Sequence, residues 1–259
     1  MQSLPAERKV LLFTAGRVRF ALRLSQVREI VALQGDAAEV SFRGGAVPVL
    51  PVAVAMGLPA GPTRFALVTE AVPPLALCVE AVHGIVDLSV AEVFQLPTRT
   101  LLPQPAPFQG AVVSGGTIAL ELVVPALGWA PMEPAGELPG PPPELDFPAG
   151  RELLFTRADR TYAAPIQLLA QVLEAPVVFP VPLAPSAHRG LLYHGRAIHP
   201  VFDVPILYQQ PAPAGASIAI LIEAGGHAIA VLADRILPAG DTSAGEVSRP
   251  SWDLMFPVS

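Results

Sequence analysis

Proline is the residue that most limits what this chain can become. It supplies 31 of the 259 residues, so it recurs roughly every eight positions. A proline inside a helix removes a backbone donor and clashes with the preceding turn, at a cost of ~3 kcal/mol or more. Long helices cannot survive that spacing. What lies between the prolines are short Val, Leu, Ile, Ala and Phe runs of strand length. Val10-Leu11-Leu12-Phe13-Thr14 and Val18-Arg19-Phe20-Ala21-Leu22 flank Ala15-Gly16-Arg17, a hairpin pattern with glycine at the turn. Phe65 to Thr69 and Leu75 to Glu80 flank a Pro73-Pro74 turn. Many short strands joined by glycine and proline turns predict a mostly β chain built as a sandwich or as small barrels.

Two stretches depart from that pattern. Leu24, Val27 and Ile30 fall three apart behind a possible Ser25 cap, and Ile166, Leu169 and Leu173 do much the same. The spacing predicts a two-turn helix at each place.

Charge and composition exclude several classes of function. Apolar residues make up 52% of the chain and charged ones only 15%, which leaves ample material for a core and excludes disorder throughout. A membrane span is not predicted. The uncharged run Gly44–Thr63 holds four prolines and four glycines, which a lipid-exposed helix could not accommodate. The net charge of −6 comes with fifteen arginines scattered singly, so no nucleic-acid partner is expected. The single cysteine, Cys78, lies in an apolar run and reads as a small core residue. The first residues lack the charged-then-apolar order of a secretory signal, and a cytoplasmic location is expected.

No nucleophile motif, phosphate loop or paired cysteine set is present, so the expectation is a non-enzymatic protein with no cofactor. His188, His194 and His199 form the one polar cluster. The last two are five positions apart, which places them on opposite faces of a strand, so the three read as surface or barrel-rim histidines rather than as a metal site. Glu70 and Glu223 read as turn residues following strands.

Organisation is plainer than chemistry. From Pro131, eight of thirteen residues are proline or glycine, which marks a semi-rigid spacer. Across it the chain repeats. Leu11-Leu12-Phe13-Thr14 returns as Leu153-Leu154-Phe155-Thr156 at an offset of 142, and Phe20-Ala21 returns as Tyr162-Ala163. Val47-Pro48-Val49 matches His199-Pro200-Val201 at 152, and Phe65 to Ala71 matches Ile218 to Ala224 at 153. Matches in one order with small drift indicate a duplicated domain. The expected layout is domain one over 6–129, a linker over 130–149 and domain two over 150–259.

The order of these elements resembles the CheW-like domain family. Phe20-Ala21-Leu22 followed by Val27-Arg28-Glu29-Ile30 is similar to that family's opening. Arg43-Gly44-Gly45-Ala46-Val47-Pro48 resembles its R-G-x-x-x-P motif, Val79-Glu80-Ala81-Val82 its V-D-x-V, and Gly110 to Leu122 its closing strand pair. The resemblance implies two tandem domains, each of small five-stranded SH3-like β-barrels with one or two short helices. It also implies a chemosensory adaptor, with two partners: the regulatory domain of a CheA-type histidine kinase and the cytoplasmic tip of a methyl-accepting chemoreceptor. Arg28, Glu29, Arg43, Gly44, Val47 and Pro48 are the partner-binding candidates it carries over, with Asp203 from the second copy. That copy departs from the pattern: His194-Gly195 stands for the arginine-glycine pair with one extra residue before Pro200, and no clear closing strand pair follows. Trp252 to Phe256 is a candidate to complete it. The competing expectation is a double-barrel module for a peptide or small ligand.

Overall fold

The computed structural model describes residues 8–33, 35, 37–97, 101–127, 132–137, 152–224, 227–238, 246–250 and 252. The chain divides into two compact units, Met1–Ala135 with Val181–Ala184, and Gly136–Pro180 with Pro185–Ser259. The proline-dense stretch from Pro139 to Pro143 lies outside the described residues.

In the first unit the strands are β1 (Lys9–Ala15), β2 (Val18–Arg23), β3 (Val27–Ala32), β4 (Glu39–Phe42), β5 (Gly45–Pro51) and β6 (Phe65–Thr69). They continue as β7 (Ala76–Val79), β8 (Ala81–Asp87), β9 (Glu92–Gln95), β10 (Phe108–Ser114) and β11 (Thr117–Leu122). One sheet runs β8-β1-β2-β11-β10-β9, and the other runs β3-β6-β7-β5-β4. The only α-helix among the described residues of this unit, α1 (Val52–Ala55), is a single turn starting directly after Pro51.

Alternation dictates which faces are buried. In β2, Val18 and Phe20 point inward while Arg19 between them stays exposed. Phe13, Phe20 and Phe108 stack through this sheet, with ring centroids 5.5 and 6.0 Å apart. The second sheet buries Val40, Phe42, Val47, Ala66, Val68, Ala76 and Cys78 together, so Cys78 is the small core residue its sequence setting predicted.

The second unit repeats the plan with less material. Its strands are β12 (Glu152–Arg157), β13 (Arg160–Pro165), β14 (Leu169–Glu174), β15 (Val178–Phe179), β16 (His188–His194) and β17 (Ala197–Phe202). After the one-turn α2 (Val204–Leu207) come β18 (Ile218–Ala224), β19 (His227–Ala233), β20 (Arg235–Ile236) and β21 (Val247–Ser248). The sheets are ordered β20-β12-β13-β21 and β14-β18-β19-β17-β16-β15.

Part of the closing arrangement of the second copy lies within the described residues. In the first unit β11 joins β2 in parallel, Leu120 opposite Phe20. In the second, β21 joins β13 in parallel with Ser248 opposite Tyr162, the repeat of Phe20. Among the described residues only the two of β21 stand where β11 does in the first unit, and Trp252 packs beside Phe155, the repeat of Phe13. That indole is fully buried, lies 6.3 Å from the Phe155 ring and donates its Nε1–H to the Ala163 carbonyl. Residues 253–256 lie outside the described set.

Both short stretches expected to be helical are corrected by the structure. Leu24–Gln26 forms one 3₁₀ turn and Val27 already begins β3; Ile166–Leu168 does the same before β14. Three-residue spacing over seven residues does not separate helix from strand, and the β-branched Val27, Ile30 and Val31 decide for the strand. Glu223 is corrected as well, since it sits inside β18 opposite Ala228.

Candidate functional site

β3 lies at one end of its sheet, with a hydrogen-bonded neighbour, β6, on one side only. Arg28, Glu29 and Ile30 are exposed along it, and Ile30 keeps 41% of its surface in contact with solvent. An unpaired strand edge with an exposed branched side chain is a template for another chain. Charge guards it: Arg28 Nε donates to Glu70 Oε2 at 2.5 Å, an ion pair open enough to be worth no more than about 1 kcal/mol. Glu70 therefore follows its strand, as the sequence suggested, and adds a partner for Arg28.

At the other end of the same sheet, β4 turns into β5 through Arg43 and Gly44. Their φ values are 48° and 79°, the two left-handed positions of a type I′ hairpin, and Phe42 faces Gly45 across it. Glycine takes such a φ without strain, whereas arginine does so at a cost of about 1–2 kcal/mol. The Arg43 guanidinium carbon lies 5.1 Å from the centroid of the Phe42 ring, a cation–π contact that offsets part of the cost. Arg43 is exposed at the tip. Val47 is not: it is a core residue at 3% exposure, and Pro48 is half-buried opposite Glu39. The candidate set thus splits into an exposed group of Arg28, Glu29, Arg43 and Gly44 and a supporting pair behind it.

The hairpin register also corrects the alignment of the second copy. His194 pairs Ala197 across Gly195 and Arg196, whose φ values are 59° and 61°. Arg43-Gly44 corresponds to Gly195-Arg196 at the constant offset of 152, so the pair is reversed and no extra residue is needed before Pro200. On β14 the positions of Arg28, Glu29 and Ile30 are held by Ala170, Gln171 and Val172. The edge is kept, but the charges of Arg28 and Glu29 have no counterparts at those positions.

The acidic position of the V-D-x-V motif has a structural task. Glu80 Oε1 accepts the Gly16 N–H at 2.8 Å, and Asp234 Oδ2 accepts the Ala158 N–H at 2.9 Å, so each carboxylate caps the tip of the first hairpin in its unit.

Asp203 is a correction of a different kind. Its side chain is fully buried and accepts from Arg157 Nε at 2.9 Å and Nη2 at 2.8 Å, and from Arg189 Nε at 2.9 Å. Arg157, also fully buried, donates in addition to Asp234 Oδ1 at 2.7 Å and to the Gly215 and Pro213 carbonyls. Burial works against the Arg157 charge, but the hydrogen bonds and charges of Asp203 and Asp234 outweigh it and hold its pKa above the ordinary arginine value. Removing one partner from such a set costs about 3–5 kcal/mol. Asp203 is an anchor inside the second unit, not an exposed contact. No local signal announced this, because Arg157 lies 46 residues away.

The histidines are divided by the structure. His194 Nε2 contacts Gln171 Oε1 at 2.9 Å near the surface, and the His199 ring lies 3.4 Å from the His194 carbonyl. His188, expected at the surface, is buried, edge-on to Phe202 at 5.3 Å, with no hydrogen-bond partner at either ring nitrogen. Burial pushes its pKa down to about 4. Among the described residues no group of three or more His, Cys, Asp or Glu could hold a metal ion, and no helix is long and apolar enough to cross a membrane.

Comparison with known proteins finds one family in both halves of the chain. A family model described as CheW-like domain matches residues 9–128 and again residues 152–250. A solved structure that matches is that of the scaffolding protein TtCheW from Thermoanaerobacter tengcongensis, at 16% identity and a TM-score of 0.39, covering 45% of this chain and 89% of that one. Comparison with curated proteins returned no match.

Proposed function

The chain belongs to the CheW-like domain family, and on that premise we propose that it is a tandem, non-enzymatic adaptor coupling chemoreceptors to a CheA-type histidine kinase. The observation that carries the reading is the family match over both halves of one chain. The solved scaffolding protein covers less than half of this chain, so a second copy of the domain is the feature that needs a role. In this reading the first unit does the binding. Its edge strand carries Arg28, Glu29 and Ile30, and its hairpin tip carries Arg43 and Gly44. The matching edge of the second unit has no charge at the positions of Arg28 and Glu29, which suits a contact other than the one those charges select. The kinase regulatory domain and the cytoplasmic receptor tip are the partners, and the setting is the cytoplasm.

The test uses the full chain. The double reversal Arg28→Glu with Glu29→Arg is expected to weaken binding of a CheA-type regulatory domain at least tenfold by calorimetry, through the loss of charge register at a solvent-exposed edge. Introducing Ala170→Glu and Gln171→Arg at the matching positions of β14 is expected to change it less than threefold. An equal loss at both edges, or none at β3, would remove the assignment.

A further inference from the structure

The second unit contains a cavity lined partly by chain with no counterpart in the first. Between β3 and β5 the first copy uses few residues, whereas the repeat offset grows from 142 at β14 to 152 at β17, ten residues more. Part of that extra chain supplies β15, which adds a sixth strand beside β16. Pro176, Val178 and Pro180 from it line a cavity of about 360 Å³, together with Ala214 and the core residue Leu232.

One charged side chain reaches this cavity, and the backbone is bent to bring it there. His188 faces Phe202 and Gly190 faces Val201, so Arg189 between them is the extra residue of a β-bulge, without a partner on β17. A bulge re-aims the side chain it carries. Here it leaves His188 in the core and turns Arg189 to the cavity wall, 25% exposed. Gly190, at φ 141°, lets β15 close over this point, because a Cβ there would collide with the Phe179 carbonyl.

Arg189 is held before any ligand arrives. Its Nε donates to Asp203 Oδ2 at 2.9 Å, and its Nη2 faces the Ala212 and Pro213 carbonyls at 3.3 Å. Asp203 is fixed in turn by the buried Arg157. Nη1 carries no protein acceptor among the described residues. A guanidinium with one free donor group, pre-positioned beside an otherwise uncharged wall of proline, alanine, valine and leucine, matches a ligand with one anionic end and an apolar body.

We propose that this cavity binds a small carboxylic acid, with the carboxylate on Arg189 Nη1 and a hydrocarbon or aromatic tail over Leu232 and Val178. The site is separate from the edge-strand surface above and does not depend on that assignment. A cavity of about 360 Å³ is at the small end of ligand sites, which suits a body of roughly ten heavy atoms.

The probe is phenylacetate, titrated calorimetrically into the full chain, with neutral phenylacetamide as its control. Phenylacetate is expected to bind saturably with a dissociation constant of ~0.1–1 mM, and phenylacetamide at least tenfold more weakly. Arg189→Gln should bring the acid down to the level of the amide. Because that change also disturbs Asp203, Ala214→Phe provides an independent arm. It fills the cavity from an exposed rim position, leaves Arg189 and Asp203 paired, and should abolish binding with the melting temperature kept. Absence of saturable phenylacetate binding, equal binding of the amide, or full binding by Ala214→Phe would each overturn the proposal.

Discussion

His188 places a titratable ring in an apolar pocket with Phe202 against its edge and neither nitrogen satisfied. The folded state holds this ring neutral down to about pH 4, while the unfolded chain takes up the proton near pH 6.5. Between those values the unfolded state binds more protons than the folded one, so stability falls as pH falls through that window. By pH 4.5 the loss from this residue is about 2–3 kcal/mol. Denaturant titrations at pH 7.5 and 4.5 should show that much extra acid sensitivity in the natural chain compared with His188→Leu; equal pH dependence of the two would refute the assignment. Nothing near His188 in the sequence marks it as buried, since its neighbours are Ala187 and the charged Arg189. The bulge at Arg189 is what reverses the expected sidedness, and a bulge has no reliable signature beyond the glycine that follows. Asp203 was misread for a related reason. Its setting before Val204-Pro205 is ordinary, and its burial depends on two arginines from other strands. Val47, by contrast, could have been placed in the core from alternation alone.

The hairpins were the most readable elements, because a tight turn imposes chemistry on two residues. Gly16-Arg17 and Arg43-Gly44 each put a glycine at one of the two left-handed positions. The equivalent turn in the second unit does not: Ala158 and Asp159 hold φ values of 51° and 60° with no glycine between them. Aspartate tolerates that region better than alanine, so the strain sits mostly on Ala158, offset by the bond from its N–H to Asp234. Ala158→Gly keeps that bond and removes the crowding, while making the unfolded chain somewhat freer. The balance favours the variant by about 0.5–1 kcal/mol, readable as a rise of a few degrees in the melting temperature of the second unit. A fall would show that the turn is not strained. The edge strands were less readable. β3 and β14 share one sequence of buried and exposed positions, with Ile30 and Val172 open to solvent at matching places. An apolar residue on an open edge gives no alternation to detect, which is why the three-residue spacing suggested helices.

At the scale of the whole chain the duplication was legible because strand cores mostly keep an apolar pattern, Phe20 for Tyr162 and Leu11-Leu12-Phe13 for Leu153-Leu154-Phe155 among them. What the repeat concealed was how the second copy is closed. β10 and β11 supply thirteen residues to the first unit's sheet; among the described residues near the end of the second unit are the two of β21, the Arg249 pair with Glu152 at 2.9 Å and the Trp252 indole. Burial of an aromatic of that size is worth about 3–5 kcal/mol when it is deleted, a large share of the stability of a domain of some hundred residues. Deleting residues 246–259 should therefore abolish the cooperative unfolding of the second unit or lower its midpoint by more than 10 °C in a thermal scan followed by circular dichroism. The first unit keeps its own aromatic stack of Phe13, Phe20 and Phe108, together with Arg28, Glu29 and Arg43, so binding of the kinase regulatory domain by the shortened chain should stay within threefold of the full chain. An unchanged second transition would show that Trp252 is dispensable. Loss of binding along with the second unit would show that the adaptor surface is not confined to the first copy.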